Sequence, residues 1–97
     1  MSIYFLKGTP QEITLQAGSV ATPSAFKNNV IIIRPAVDIY IAVGANPVAS
    51  ANGNVCHFVG EGELFPIKIN YNEKIAAIPA TSTGIGGKVR FSPININ

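Results

Sequence analysis

Ionised side chains are scarce in this chain. Five acidic and seven basic residues make up 12% of its 97 positions, about half the share in an average soluble domain, where roughly 25% of residues are charged. Surface charge keeps monomers apart in water, so a folded unit with so little of it is expected to have part of its outside covered by neighbours. Tryptophan is absent, and cysteine and histidine occur once each. A lone Cys56 excludes an intrachain disulfide and implies no oxidising compartment. With His57 as the sole histidine, neither the ligand set of a zinc site nor a nucleophile–base–carboxylate triad is at hand. The strongest apolar stretch, 30–44, is interrupted by Arg34, Pro35 and Asp38 and is too broken to span a bilayer. Lys7, Lys27, Arg34, Lys68, Lys74, Lys88 and Arg90 are scattered, none beside another. That excludes the basic cluster with interleaved aromatics expected of a direct nucleic-acid reader.

What is present is alternation with a period of two. Ile13 and Leu15 fall on one face of a segment whose other face is Glu12, Thr14 and Gln16. Val37, Ile39, Ile41 and Val43 oppose Asp38, Tyr40 and Ala42, and Val89 and Phe91 oppose Lys88 and Arg90; this is the pattern of half-buried strands. Val30-Ile31-Ile32-Ile33 is continuous and β-branched, which suits a strand covered on both faces or facing a partner. Turn residues separate these runs at Gly8-Thr9-Pro10, Gly18-Ser19, Asn52-Gly53-Asn54 and Asn70-Tyr71-Asn72. About eight strands follow, near 3–7, 11–17, 29–34, 37–43, 55–60, 63–69, 73–79 and 87–95. No ten-residue stretch keeps a helical period with caps. The expected fold is all-β: one domain over 1–97, an antiparallel two-sheet β-sandwich of jelly-roll or immunoglobulin-like order. The apolar run Ile3-Tyr4-Phe5-Leu6 is too short for a secretory signal, so assembly in a cytoplasm is expected.

Residues with chemical potential read mainly as structure. Cys56 and His57 are neighbours in a strand and should project to opposite faces, which prevents a dyad or a shared metal. Glu61-Gly62-Glu63 reads as a solvated turn, since nothing near it supplies the further ligands of a calcium site. Gly84-Ile85-Gly86-Gly87 lacks the helix that follows a phosphate loop and reads as a hairpin turn. The aromatics, among them Tyr40, Phe65 and Tyr71, are expected to fill the core. No catalytic residue, metal or cofactor is expected.

Residues 37–49 form a strand ending in Gly44-Ala45-Asn46-Pro47. A Gly60-Glu61-Gly62-Glu63-Leu64-Phe65 stretch follows, then Glu73-Lys74-Ile75-Ala76-Ala77-Ile78 and a Gly-rich connection into the last strand. Over about residues 37–92 this order resembles small β-sandwich accessory virion proteins of tailed bacteriophages, found on capsids or tails. The resemblance implies a non-enzymatic virion subunit, a capsid decoration or head–tail accessory protein present in several copies or as a homo-oligomer, whose partners are major capsid or tail proteins. It implies residence in the virion and no contact with membrane. Strand-edge pairing is the expected mode of contact. Ile3, Tyr4, Phe5 and Leu6 at one end and Ile94 and Ile96 at the other would offer it, with Asn46 and Pro47 as further interface candidates. The competing expectation is a carbohydrate-binding module or host-surface adhesin of a virion, which requires exposed aromatics gathered beside polar groups.

Overall fold

The computed structural model describes residues 4–6, 8–27, 30–53 and 56–96, with side chains described between positions 8 and 94 of those spans. Nine strand segments run in chain order: β1 Tyr4–Leu6, β2 Gln11–Thr14, β3 Val20–Ala21, β4 Val30–Pro35, β5 Ile39–Gly44, β6 His57–Val59, β7 Phe65–Lys68, β8 Lys74–Pro79 and β9 Lys88–Ile96. A single 3-10 turn, Ser82–Gly84, is the one helical element among the described residues.

β1 and β2 lie end to end along the same edge of β9, so both sheets are four strands wide. Sheet I has the order β1/β2, β9, β4, β7, and sheet II the order β3, β8, β5, β6, with every pairing antiparallel. Counting β1/β2 as one strand, the first pairs with the last, the second with the seventh, the third with the sixth, and the fourth with the fifth. The chain is therefore one long hairpin rolled up on itself. That is the jelly-roll order, and the immunoglobulin-like alternative drops out.

The alternation in the sequence explains the burial. Ile31 and Ile33 of β4, Val89 and Phe91 of β9 and Ile13 of β2 point inward from sheet I. They meet Ile39 and Ile41 of β5, Ile75 and Ala77 of β8 and Val59 of β6. Phe26 packs on Phe91 with ring centroids 6.2 Å apart, tilted by 49°. Each fully buried side chain of this size contributes roughly 1.5–3 kcal/mol of transfer free energy. The interior is therefore the main source of stability.

Two expectations need correction. β3 is absent from the predicted strands because two residues between Gly18-Ser19 and Thr22-Pro23 carry no readable alternation. It is held by pairing with β8 and by mutual bonds between Thr22 and Ile75: the Thr22 N–H donates to the Ile75 carbonyl at 2.9 Å, and the Ile75 N–H to Thr22 Oγ1 at 3.3 Å. The Gly-rich segment 84–87 is not a hairpin, because β8 belongs to sheet II and β9 to sheet I. It is an arch between layers, and its glycines make room for Val37. A Cβ on Gly84 would lie 2.9 Å from Pro79 Cβ and 3.1 Å from Val37 Cγ2, and one on Gly87 2.9 Å from Val37 Cγ2.

Candidate functional site

The described surface holds no chemically competent cluster. Cys56 lies just before β6, which begins at His57, so the two are not strand neighbours as expected, yet their side chains still separate. The thiol is buried, its sulfur accepting the Ser50 N–H at 3.3 Å, while His57 is exposed. Among the described residues no three His, Cys, Asp or Glu side chains gather as metal ligands. The carboxylates around the loops fasten turns. Glu63 Oε1 accepts the Gly60 N–H at 2.8 Å, Asp38 Oδ1 accepts the Glu61 N–H at 2.8 Å, and Glu73 Oε1 accepts the Asn70 N–H at 2.7 Å. Glu61-Gly62-Glu63 forms a turn, with Gly62 at φ +76°.

The expected interface residues fall into three groups. Tyr4, Phe5 and Leu6 pair through their backbone with Ile96, Asn95 and Ile94 of the chain's own last strand. The two ends are therefore joined to each other, and the edge left over is the outer side of β1. Ile94 is fully buried, with Leu6 and Val30 as register partners on either side. By register it shares the outward side with Ser92 and Arg90 and is not part of the core cluster, so this end of the outer surface of sheet I is covered and the side chain has no exposed area in the free chain. Asn46 is exposed and Pro47 half-buried at the start of the loop 45–56. Ile3 lies outside the described residues, as does the side chain of Ile96.

That loop explains one of the two outer surfaces. It leaves β5 and folds back over sheet II, where the Ala49 N–H donates to Ser19 Oγ at 2.8 Å. Gly53 lies against Tyr40, whose ring is 3.7 Å from the position a Cβ would take. Ala76 points outward from β8 by alternation and yet is fully buried. Next to the covered area, Tyr40 and Phe58 meet edge to face at 5.5 Å.

The outer surface of sheet I is covered at Ile94 and open and cationic around Arg34, Lys88 and Arg90. Its strands carry Arg34, Lys68, Lys88 and Arg90 against a single carboxylate, Glu12, which is four positive charges less one negative. The strands of sheet II carry Lys74 alone. Arg34 and Arg90 stand directly opposite across the β4–β9 ladder. The Arg90 Nε–H donates to Glu12 Oε2 at 2.9 Å, and Lys88 Nζ donates to Thr14 Oγ1 at 2.7 Å. A concavity of about 760 Å³ lies over these strands, lined by Ile32, Leu64 and the cations Arg34, Lys88 and Arg90, with one carboxylate, Glu61, at its side. The patch is hard to see in the sequence because Arg34 and Lys68 are far along the chain from each other and from the Lys88–Arg90 pair. Their shared outward parity within predicted strands was the available signal.

Large apolar side chains remain exposed at Val43, Val48, Phe58, Leu64, Tyr71 and Ile85, on six different segments. Among the described residues, Tyr40, Phe65 and Tyr71 share no common platform. Tyr40 and Phe58 sit on the outer surface of sheet II, Phe65 faces the sandwich interior at the edge of sheet I, and Tyr71 lies beside Lys27 in the β7–β8 connection. No family model matches this chain, and no curated protein or solved structure matches it either.

Proposed function

We propose that this chain is a non-enzymatic structural subunit that works by packing against other proteins, as an accessory capsid or tail component of a tailed-phage virion. The observation that carries the packing role is the surface itself: a sandwich with a partly open, unevenly charged sheet face and, among the described residues, six large apolar side chains exposed on separate segments. Such a surface fits contacts made from more than one side better than a single ligand cleft. The jelly-roll order is compatible with this role, since the architecture recurs in capsid proteins. It also recurs in lectins, so architecture alone does not choose between them. The scatter of Tyr40, Phe65 and Tyr71 over separate surfaces favours packing over glycan binding. The virion assignment rests on the resemblance over residues 37–92.

The test is gradient sedimentation of the purified chain with virions of the encoding phage, and with particles lacking it. Recovery in the particle fraction at a fixed copy ratio is the expected result. A chain that stays at the top of the gradient at every salt concentration overturns the reading.

A further inference from the structure

The outer surface of sheet I contains an arrangement that works against folding. Outward side chains opposed across an antiparallel ladder lie about 4.5–5.5 Å apart at Cβ, and like charges in that position are destabilising. Arg34 and Arg90 occupy such a position, with Lys88 at the next outward site on β9. Both cations of β9 lean away from β4, to Glu12 and Thr14 on β2. Arg34 is left exposed, with no hydrogen bond or ion pair among the described residues. Its guanidinium is a planar fork of five donors suited to a carboxylate. Beside it are Leu64, 66% exposed, and the half-buried Ile32.

We propose that the outer surface of sheet I docks an acidic segment of a partner protein, with Arg34 as the anchor for a carboxylate and Leu64 and Ile32 as the seat for an aliphatic side chain. This rests on the packing role above and names the chemistry of the partner. The charge complementarity is local: a row runs Glu12, Arg90, Arg34 and Leu64 from β2 towards β7, and in the concavity over it Arg34, Lys88 and Arg90 outnumber the one lining carboxylate, Glu61, which makes no ion pair with Arg34. A nucleic acid would find no aromatic stacking platform on these strands and no projecting element to enter a groove. A carboxylate accepting two parallel N–H bonds gives Arg34 the partner it lacks within the chain.

The experiment is fluorescence anisotropy on the full chain with a labelled synthetic peptide of interspersed glutamates and leucines, alongside a labelled DNA duplex. Wild type is expected to bind the peptide more tightly than the duplex. Arg34→Gln is expected to weaken peptide binding about tenfold, the loss of one charge-assisted pair, and Arg34→Lys to weaken it less. Lys74→Gln, on the other sheet, should leave it unchanged. Ser92→Glu, which places a carboxylate in the middle of the surface, should abolish binding and serves if Arg34→Gln does not fold. Tighter binding to the duplex, no binding to the peptide, or equal losses from Arg34→Gln and Lys74→Gln overturns the proposal. Because the probe is a synthetic peptide, failure here leaves the sedimentation result standing, and a chain that binds the peptide but ignores particles contradicts only the virion role.

Discussion

The two outer surfaces of this sandwich are built on the same alternation and end up in opposite states. On sheet II the outward positions of β5 and β8 include Tyr40, Ala42, Ala76 and Ile78, and the chain covers part of them with its own loop, anchored by the bond from Ala49 to Ser19. On sheet I the outward positions of β4 and β9 include Ile32, Arg34, Lys88, Arg90, Ser92 and Ile94; Ile94 is fully buried, but no loop of the described chain is bonded over the stretch from Lys88 to Ser92. Small uncharged residues allow a loop to settle closely on a sheet. Crowded cations do not, because burying each unpaired charge costs several kcal/mol. The low overall charge is thus not spread evenly. Half of it sits in the connections, and within the strands it gathers on sheet I and is nearly withdrawn from sheet II.

The largest effect should come from giving the covered surface the character of the open one. Ala76→Glu puts an unpaired carboxylate beneath the loop and is expected to destabilise the fold by roughly 3–5 kcal/mol, read by urea unfolding. Ser92→Glu, in the corresponding central strand of sheet I, should change stability by no more than about 0.5 kcal/mol. Equal losses at the two positions would erase the distinction between the surfaces.

Next is the arch joining the sheets. Gly84→Ala brings a methyl group to within 2.9 Å of Pro79 Cβ and should cost about 1–3 kcal/mol as overpacking, seen as a lower thermal midpoint. Ser19→Ala removes the acceptor for the Ala49 N–H and should cost about 1 kcal/mol. Because Cys56 ends the same loop, buried and with its sulfur accepting the Ser50 N–H, its reaction with a thiol reagent should quicken in this variant. An unchanged thiol rate would mean the loop is held by something other than that bond. The smallest effect belongs to Arg34→Gln, which relieves the like-charge pair and is expected to leave the thermal midpoint equal to wild type or slightly higher.

Much of the fold was legible in the sequence, for a local reason. Val89 and Phe91 inward with Lys88 and Arg90 outward is what alternation required, and Ile39 and Ile41 are buried as their parity demanded. The 30–33 run resolved as a strand with Ile31 and Ile33 fully buried and Val30 and Ile32 half-covered. Strand order was not legible, because pairing β9 with β2 and β4 depends on contacts distant in the chain. The arch at 84–87 was mistaken for a hairpin because clustered glycines signal a tight bend without saying which sheet the chain enters next. The loop over sheet II left a faint trace in the small, uncharged outward residues Ala42 and Ala76. At the candidate site, the apolar character of the termini suggests free strand edges, yet β1 and the end of β9 use their backbones on each other.

Lysine footprinting of the free chain and of the chain in its native assembly compares the two surfaces in one measurement. If sheet I is the surface that meets partners, Lys68 and Lys88 lose reactivity on assembly while Lys74, on sheet II, keeps it. Protection of Lys74 with Lys68 and Lys88 still reactive would contradict the account.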